Sequence, residues 1–131
     1  MENPRVVVHE SGRRWIDHVR ARMRALPVQV RHSTSTLDCL ELVRGRRRTL
    51  LLLEFGAQPL TGLELLDQVR SLDPEGTVLV VGRPVAAPVE LLTRELGAVA
   101  FIREPVAPTE VADLVEHVLR TTSRAACVQL Q

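Results

Sequence analysis

Glu54 closes an unbroken run of leucines, LLLLE at 50–54, and puts a carboxylate at the mouth of a fully apolar strand. The same abrupt ending recurs along the chain. RVVV (5–8) runs into His9 and Glu10, TVLVV (77–81) into Gly82 and Arg83, and AVAFI (98–102) into Arg103 and Glu104. The carboxylates of Glu10, Glu54 and Glu104, aided by His9, offer the oxygen-rich chemistry that holds a hard cation such as Mg²⁺ or Mn²⁺. Alternatively, Glu54 lies at a solvated strand end and is neutralised by Arg83 or Arg103, because structural ion pairs also populate clefts. His9 beside Glu10 is an acid–base couple by residue type, but adjacent residues of a strand point to opposite sides of a sheet. The chain has no glycine-rich phosphate loop, no GxSxG and no histidine pair at metal spacing, so an enzyme is not expected. Cys39 and Cys127 form no metal spacing and read as reduced thiols.

The elements that must position these ends follow from periodicity. RVVV is the first strand. Trp15, Ile16, Val19, Met23 and Leu26 share one helical face, and Pro27 closes that helix. VQVRH (28–32) alternates as an edge strand does. STST (33–36) supplies an N-cap for a helix turning Leu37, Leu40 and Val43 inward, which Gly45 ends. After the central strand, Thr61 and Glu64 have capping-box spacing for a helix over Leu63, Leu66 and Val69. Asp73-Pro74-Glu75-Gly76 is a turn before the fourth strand. Pro88 opens a helix bearing Val89, Leu92 and Leu96. Pro108 opens the last helix, whose stripe is Val111, Leu114, Val115, Val118 and Leu119, and residues 122–131 read as a loose tail.

Five strands alternating with five helices through short connections predict an α/β fold, a parallel sheet covered on both faces. Right-handed crossovers make the flavodoxin-like order 2-1-3-4-5 the natural one for five βα units, in one domain over residues 1–131. The functional crevice of such a sheet lies beyond the carboxyl ends of its strands, where order reverses between the first and third. Glu54 is therefore expected to face that crevice, with His9, Glu10, Gly82, Arg83, Arg103 and Glu104 at or just past neighbouring ends.

Length, element order and local motifs over residues 4–121 resemble the receiver domain of two-component response regulators. LLLLEFGAQPLTGLELLDQVR (50–70) is similar to that family's third strand, loop and third helix, with Gly62 eight residues after the acceptor position. TVLVVG (77–82) resembles its fourth strand, and GAVAFIREP (97–105) its fifth, opening Gly-Ala and terminal proline included. The resemblance implies positions for an acidic pair holding Mg²⁺, an acceptor Asp, a switch Thr or Ser, and a Lys. This sequence has His9-Glu10, Glu54, Gly82 and Glu104 there, so the implied module is a degenerate receiver whose phosphorylation chemistry is lost. Glu54 is one methylene longer than Asp, and in-line transfer tolerates displacements of only about 1 Å. A third reading of Glu54 follows from the resemblance: a built-in phosphate mimic of charge about −1 against roughly −1.5 to −2 for phosphate. Phe101 stands where the family has a rotameric aromatic; without Thr and Lys, packing is its expected role.

Charge bears on partners. All 17 basic residues are arginine. Residues 1–48 carry eleven Arg against five acids, net +6, and residues 49–131 carry six Arg against eleven acids, net −5. Arg13, Arg20 and Arg24 on the first helix, with RGRRR (44–48), read either as a solvated surface or as a docking face for an acidic partner. The resemblance implies that the first helix meets another signalling protein: a kinase, regulator or scaffold. It also implies a homodimer through the fourth helix, fifth strand and last helix. The acids there (Glu90, Glu95, Glu110, Asp113, Glu116) suggest instead a salt-sensitive head-to-tail contact with the basic half of a neighbour. Nucleic-acid binding is the alternative of a different class. Net charge of +1 and only 2% aromatic residues argue against it. No cofactor is expected, with weak Mg²⁺ binding through Glu10 and Glu54 as the alternative. Apolar runs are too short to span a bilayer and no basic-then-apolar leader opens the chain, so the expectation is a cytoplasmic protein without membrane contact.

Overall fold

The structure is a computed structural model that describes residues 4–45 and 48–130, residues 123–130 by their backbone alone. Strands β1 (Arg5–His9), β2 (Gln29–Ser33), β3 (Leu50–Glu54), β4 (Thr77–Gly82) and β5 (Ala98–Arg103) alternate with helices. The helices are α1 (Ile16–Met23), α2 (Thr36–Val43), α3 (Pro59–Leu72), α4 (Ala87–Glu95) and α5 (Pro108–Leu130). The sheet is parallel throughout, in the order β2-β1-β3-β4-β5. This is the flavodoxin-like topology that the sequence predicts.

The two-residue period of a strand splits the apolar runs between two cores. Val6, Val8, Leu50, Leu52, Leu79 and Val81 point to one face and pack with Trp15, Ile16 and Val19 at α1 and with Val111 and Val115 of α5. Val7, Leu51, Leu53, Val78 and Val80 point to the other and meet Cys39 and Val43 of α2 and Leu63, Leu66 and Val69 of α3. Central strands buried on both faces must be apolar at every position, which explains VVV, LLLL and VLVV. The edges differ: β2 alternates exposed and half-buried residues, and Val99 of β5 is 57% exposed.

Asp73 secures the far end of the sheet. It is buried, and its carboxylate accepts from the amides of Arg48 (3.2 Å) and Thr49 (3.0 Å), tying the turn before β4 to the entry of β3.

Several local expectations are corrected. Ser35 caps α2, accepting from the Asp38 amide at 3.2 Å, but the buried residues are Cys39 and Val43, with Leu40 half-buried. Leu37, two positions from Cys39 and so on nearly the opposite side of the helix, is 77% exposed. Helix α3 starts at Pro59, two residues ahead of Thr61, and Thr61 makes no capping box. Proline supplies the first turn, where its missing N–H costs nothing. On α4 Val89 and Leu96 pack against the core as expected, but the fully buried residue is Thr93, whose hydroxyl donates to the Val89 carbonyl at 2.8 Å, while Leu92 is 42% exposed. Helix α5 continues to Leu130, where a loose tail is expected from residue 122. Residues 120–131 contain neither glycine nor proline to stop it. Arg46, Arg47 and the side chain of Cys127 lie outside the described residues.

Candidate functional site

Strand parity also sorts the residues at the carboxyl ends. Glu10 is in step with Val6 and Val8, Glu54 with Leu50 and Leu52, and Glu104 with Ala100 and Ile102, all on the α1–α5 face. His9, Gly82 and Arg103 are in step with the residues of the α2–α3–α4 face. Three carboxylates thus end on the face covered by α1, and the start of α1 supplies a partner to each.

Glu10 is 1% exposed and turned onto the beginning of that helix. One oxygen accepts from the amides of Arg14 (2.6 Å) and Trp15 (3.0 Å), the other from Ile16 (2.9 Å). A carboxylate there satisfies orphan donors and complements the positive end of the helix. His32 Nε2 lies 3.4 Å from Glu10 and 3.0 Å from the Gly12 carbonyl. Both neighbours are acceptors, so this nitrogen carries a proton.

Glu54 meets Trp15. The indole Nε1–H donates to Glu54 Oε2 at 2.8 Å, and Ser11 lies at the edge of hydrogen-bond range of the other oxygen, its amide at 3.4 Å and its hydroxyl at 3.5 Å. The Trp15 ring is buried, as its apolar stripe predicts, and its N–H is the polar handle of an otherwise hydrophobic group. The Arg14 guanidinium lies 4.5 Å from the centroid of that ring and pairs with Glu104. A continuous chain results: Glu104, Arg14, Trp15, Glu54. The Glu104–Pro105 peptide that follows β5 is cis.

Glu54 is therefore not neutralised by Arg83 or Arg103. Arg103 points to the opposite face and pairs with Glu90 at 2.5 Å, holding that carboxyl below the usual range. Arg83 is exposed and has no ion pair among the described residues. Nor is any group of three His, Cys, Asp or Glu placed to hold a metal ion among the described residues. Strand parity brings the carboxylates to one face, but Glu10 spends both oxygens on α1.

At Gly82 a Cβ would lie 3.1 Å from Phe55 Cβ and 3.3 Å from the Phe55 carbonyl oxygen, leaving little room for a hydroxyl-bearing side chain. The Phe55 ring lies so close to Gly62 that a Cβ there would sit 2.5 Å from it, which is why glycine is required at 62. Phe101 is buried edge-on against Phe55, centroids 5.8 Å apart, in the packing role expected of it. His9 Nδ1 is 2.9 Å from the Ser33 hydroxyl, and burial pushes the imidazole below its ordinary 6.5, outweighing the opposing pull of Glu54.

Between β1, β3 and the starts of α2 and α3 lies a cleft of about 360 Å³, whose polar lining is His9, Glu10, Ser11, Thr34, Thr36, Glu54, Gln58 and Thr61. The sequence points to Glu54 and His9 but not to the hydroxyl residues, which come from separate segments: Ser11 and Thr34 from loops, Thr36 and Thr61 from the first turns of α2 and α3. Arg14 and Trp15 as partners of the strand-end acids were also missed; Arg-Trp directly ahead of an apolar helical stripe is the available signal.

The first-helix arginines Arg13, Arg20 and Arg24 are all exposed. Arg13 pairs with Asp17 at 2.7 Å, whereas Arg20 and Arg24 have no ion pair among the described residues. The acids proposed for a head-to-tail contact are largely engaged within the chain. Arg22 pairs with Asp113 and lies 3.9 Å from Glu116, Arg120 pairs with Glu116 at 2.8 Å, and Glu90 pairs with Arg103. The basic and acidic halves are neighbours where α1 packs on α5, so they neutralise each other locally.

No family model matches the sequence, and no curated protein matches it significantly. Solved structures do match in fold. A CheY-like response regulator receiver domain from Methanospirillum hungatei JF-1 superposes with a TM-score of 0.77 at 17% identity, covering 94% of this chain and 98% of that one. A response regulator from Thermotoga maritima gives 0.74 at 18% identity, with 90% and 98% covered. A response regulator from Burkholderia pseudomallei, solved with a phosphorylated aspartic acid, calcium ion and citrate, gives 0.69 at 14% identity, with 97% and 73% covered. The chain has the fold of a response regulator receiver domain.

Proposed function

We propose that this domain is a signalling module that keeps the receiver fold, works without phosphorylation and acts through contacts with other proteins. The observation that carries the reading is the chain from Glu104 through Arg14 and Trp15 to Glu54. It links the lysine position to the acceptor position through Arg14, paired with Glu104, and Trp15, whose indole N–H is bonded to Glu54. Gly82, packed on Phe55, offers no hydroxyl to read a phosphoryl group. Glu10, given over to the α1 N-terminus, supports a reading without bound Mg²⁺. The output is then a fixed conformation rather than a switched one.

The partner surface in this reading is α1, where Arg20 and Arg24 are exposed and open to an acidic kinase, regulator or scaffold. Self-association would use Leu91, Leu92 and Val99, exposed on α4 and β5, rather than the internally paired acids. The test is capture of the partner from nuclease-treated lysate of the source cell. Capture should be unchanged by acetyl phosphate and lost in Arg20→Glu/Arg24→Glu. Capture that depends on the phosphodonor, or that survives the double variant, contradicts the proposal. Loss on nuclease treatment would favour nucleic acid instead.

A further inference from the structure

We infer that the cleft beside Glu54 is a receptor for a single guanidinium, presented by an arginine side chain of a partner protein. The inference rests on the reading above only in that the crevice holds neither phosphate nor metal. Three observations point to a cation with several N–H donors. Glu54 Oε2 is held by Trp15, but Oε1 has only the long Ser11 contacts and no ion pair among the described residues, so its lone pairs are open to the cleft. No arginine lines the cleft, and His9 is kept neutral by burial, so its walls hold no compensating positive charge. Apart from Glu10, whose oxygens are taken by α1 amides, and Ser11, the remaining polar lining consists of hydroxyl residues and an amide (Thr34, Thr36, Thr61, Gln58), acceptors able to take the outer N–H groups of a planar fork.

The nearby arginines do not serve. Arg14 is stacked on Trp15 and paired with Glu104, and Arg103 is turned to Glu90 across the sheet. Leu53, Leu65, Ala57 and Gly62 supply an apolar wall along which the methylenes of an arginine can lie. A divalent metal is the poorer occupant, since Glu10, the other carboxylate of the lining, already gives both oxygens to amides at the start of α1, leaving Glu54 and neutral oxygens to hold it.

Trp15 provides the readout. It is the only tryptophan of the chain, and its indole N–H is bonded to the carboxylate in question. A ¹⁵N-labelled sample should therefore show a single indole cross-peak, which is followed while acetyl-Gly-Arg-Gly-amide is added to about 10 mM. The peak should shift saturably. The same peptide with Gln for Arg should leave it in place, and Glu54→Gln, which keeps an acceptor for the indole, should weaken binding about tenfold or more. Thr61→Arg, which plants a cation at the rim, should abolish the response while leaving Glu54 and Trp15 intact. No saturable shift, an equal shift with the Gln peptide, or undiminished binding in both variants overturns the inference. These outcomes are distinct from those of the other two tests, which read phosphoryl transfer and capture through the α1 surface rather than guanidinium binding.

Discussion

Replacing Trp15 with Phe leaves a buried aromatic ring but removes the N–H that holds Glu54 and shrinks the bicyclic indole to a phenyl. The account predicts a loss of about 1–2 kcal/mol in urea unfolding, the ordinary cost of leaving a charged acceptor short of a partner. A change below about 0.5 kcal/mol would mean that the hydrogen bond contributes nothing net. Glu10→Ala should cost more, about 2–3 kcal/mol, because three amides at the start of α1 lose their acceptor together. His9 titrates below its ordinary 6.5 in the folded state, so the unfolded chain takes up the proton first as pH falls. Stability is thus full above pH 6.5 and declines as pH drops below it; His9→Asn should flatten that decline in thermal melts. Glu54, His9 and Glu10 stand out in the sequence because each ends an apolar run. Their partners do not, because the 11–15 loop that carries Ser11, Arg14 and Trp15 to them has no periodicity from which its path can be read.

Helices and strands were legible to the extent that burial sets their pattern. β1, β3 and β4 are buried on both faces, and the runs of Val and Leu announce them. The short helices were read less well: in α2 an eight-residue span gives too few turns to separate Leu37 from Cys39, and a small buried thiol looks less hydrophobic than an exposed leucine. Leu37→Ser should accordingly change stability by less than about 0.5 kcal/mol, while Val43→Ala costs about 1–3 kcal/mol, a contrast that differential thermal melting reads directly. At the end of β4, Gly82→Thr restores a hydroxyl only by pushing on Phe55, and should destabilise by about 1–3 kcal/mol without creating a phosphate response.

At the scale of the whole molecule, the sequence shows a basic half followed by an acidic half, and the fold sets the two side by side. Arg22 reaches Asp113 and Glu116 across the α1–α5 seam, which engages these two acids within the chain rather than with another copy. Any dimer should therefore vary little in sedimentation between about 0.05 and 0.5 M salt, in contrast to an ion-paired one. Topology was legible because five short βα connections leave few right-handed arrangements. The convergence of three strand-end acids on α1 was legible only as chemistry, not as the internal pairing that the fold gives it. That pairing is the central claim, and intact-mass spectrometry after incubation with Mg²⁺ and acetyl phosphate tests it most directly. The account predicts an unchanged mass for the native chain and for Glu54→Asp alone, because the lysine and hydroxyl positions remain filled by Glu104 and Gly82. A stable gain of one phosphoryl group on Glu54 would contradict it.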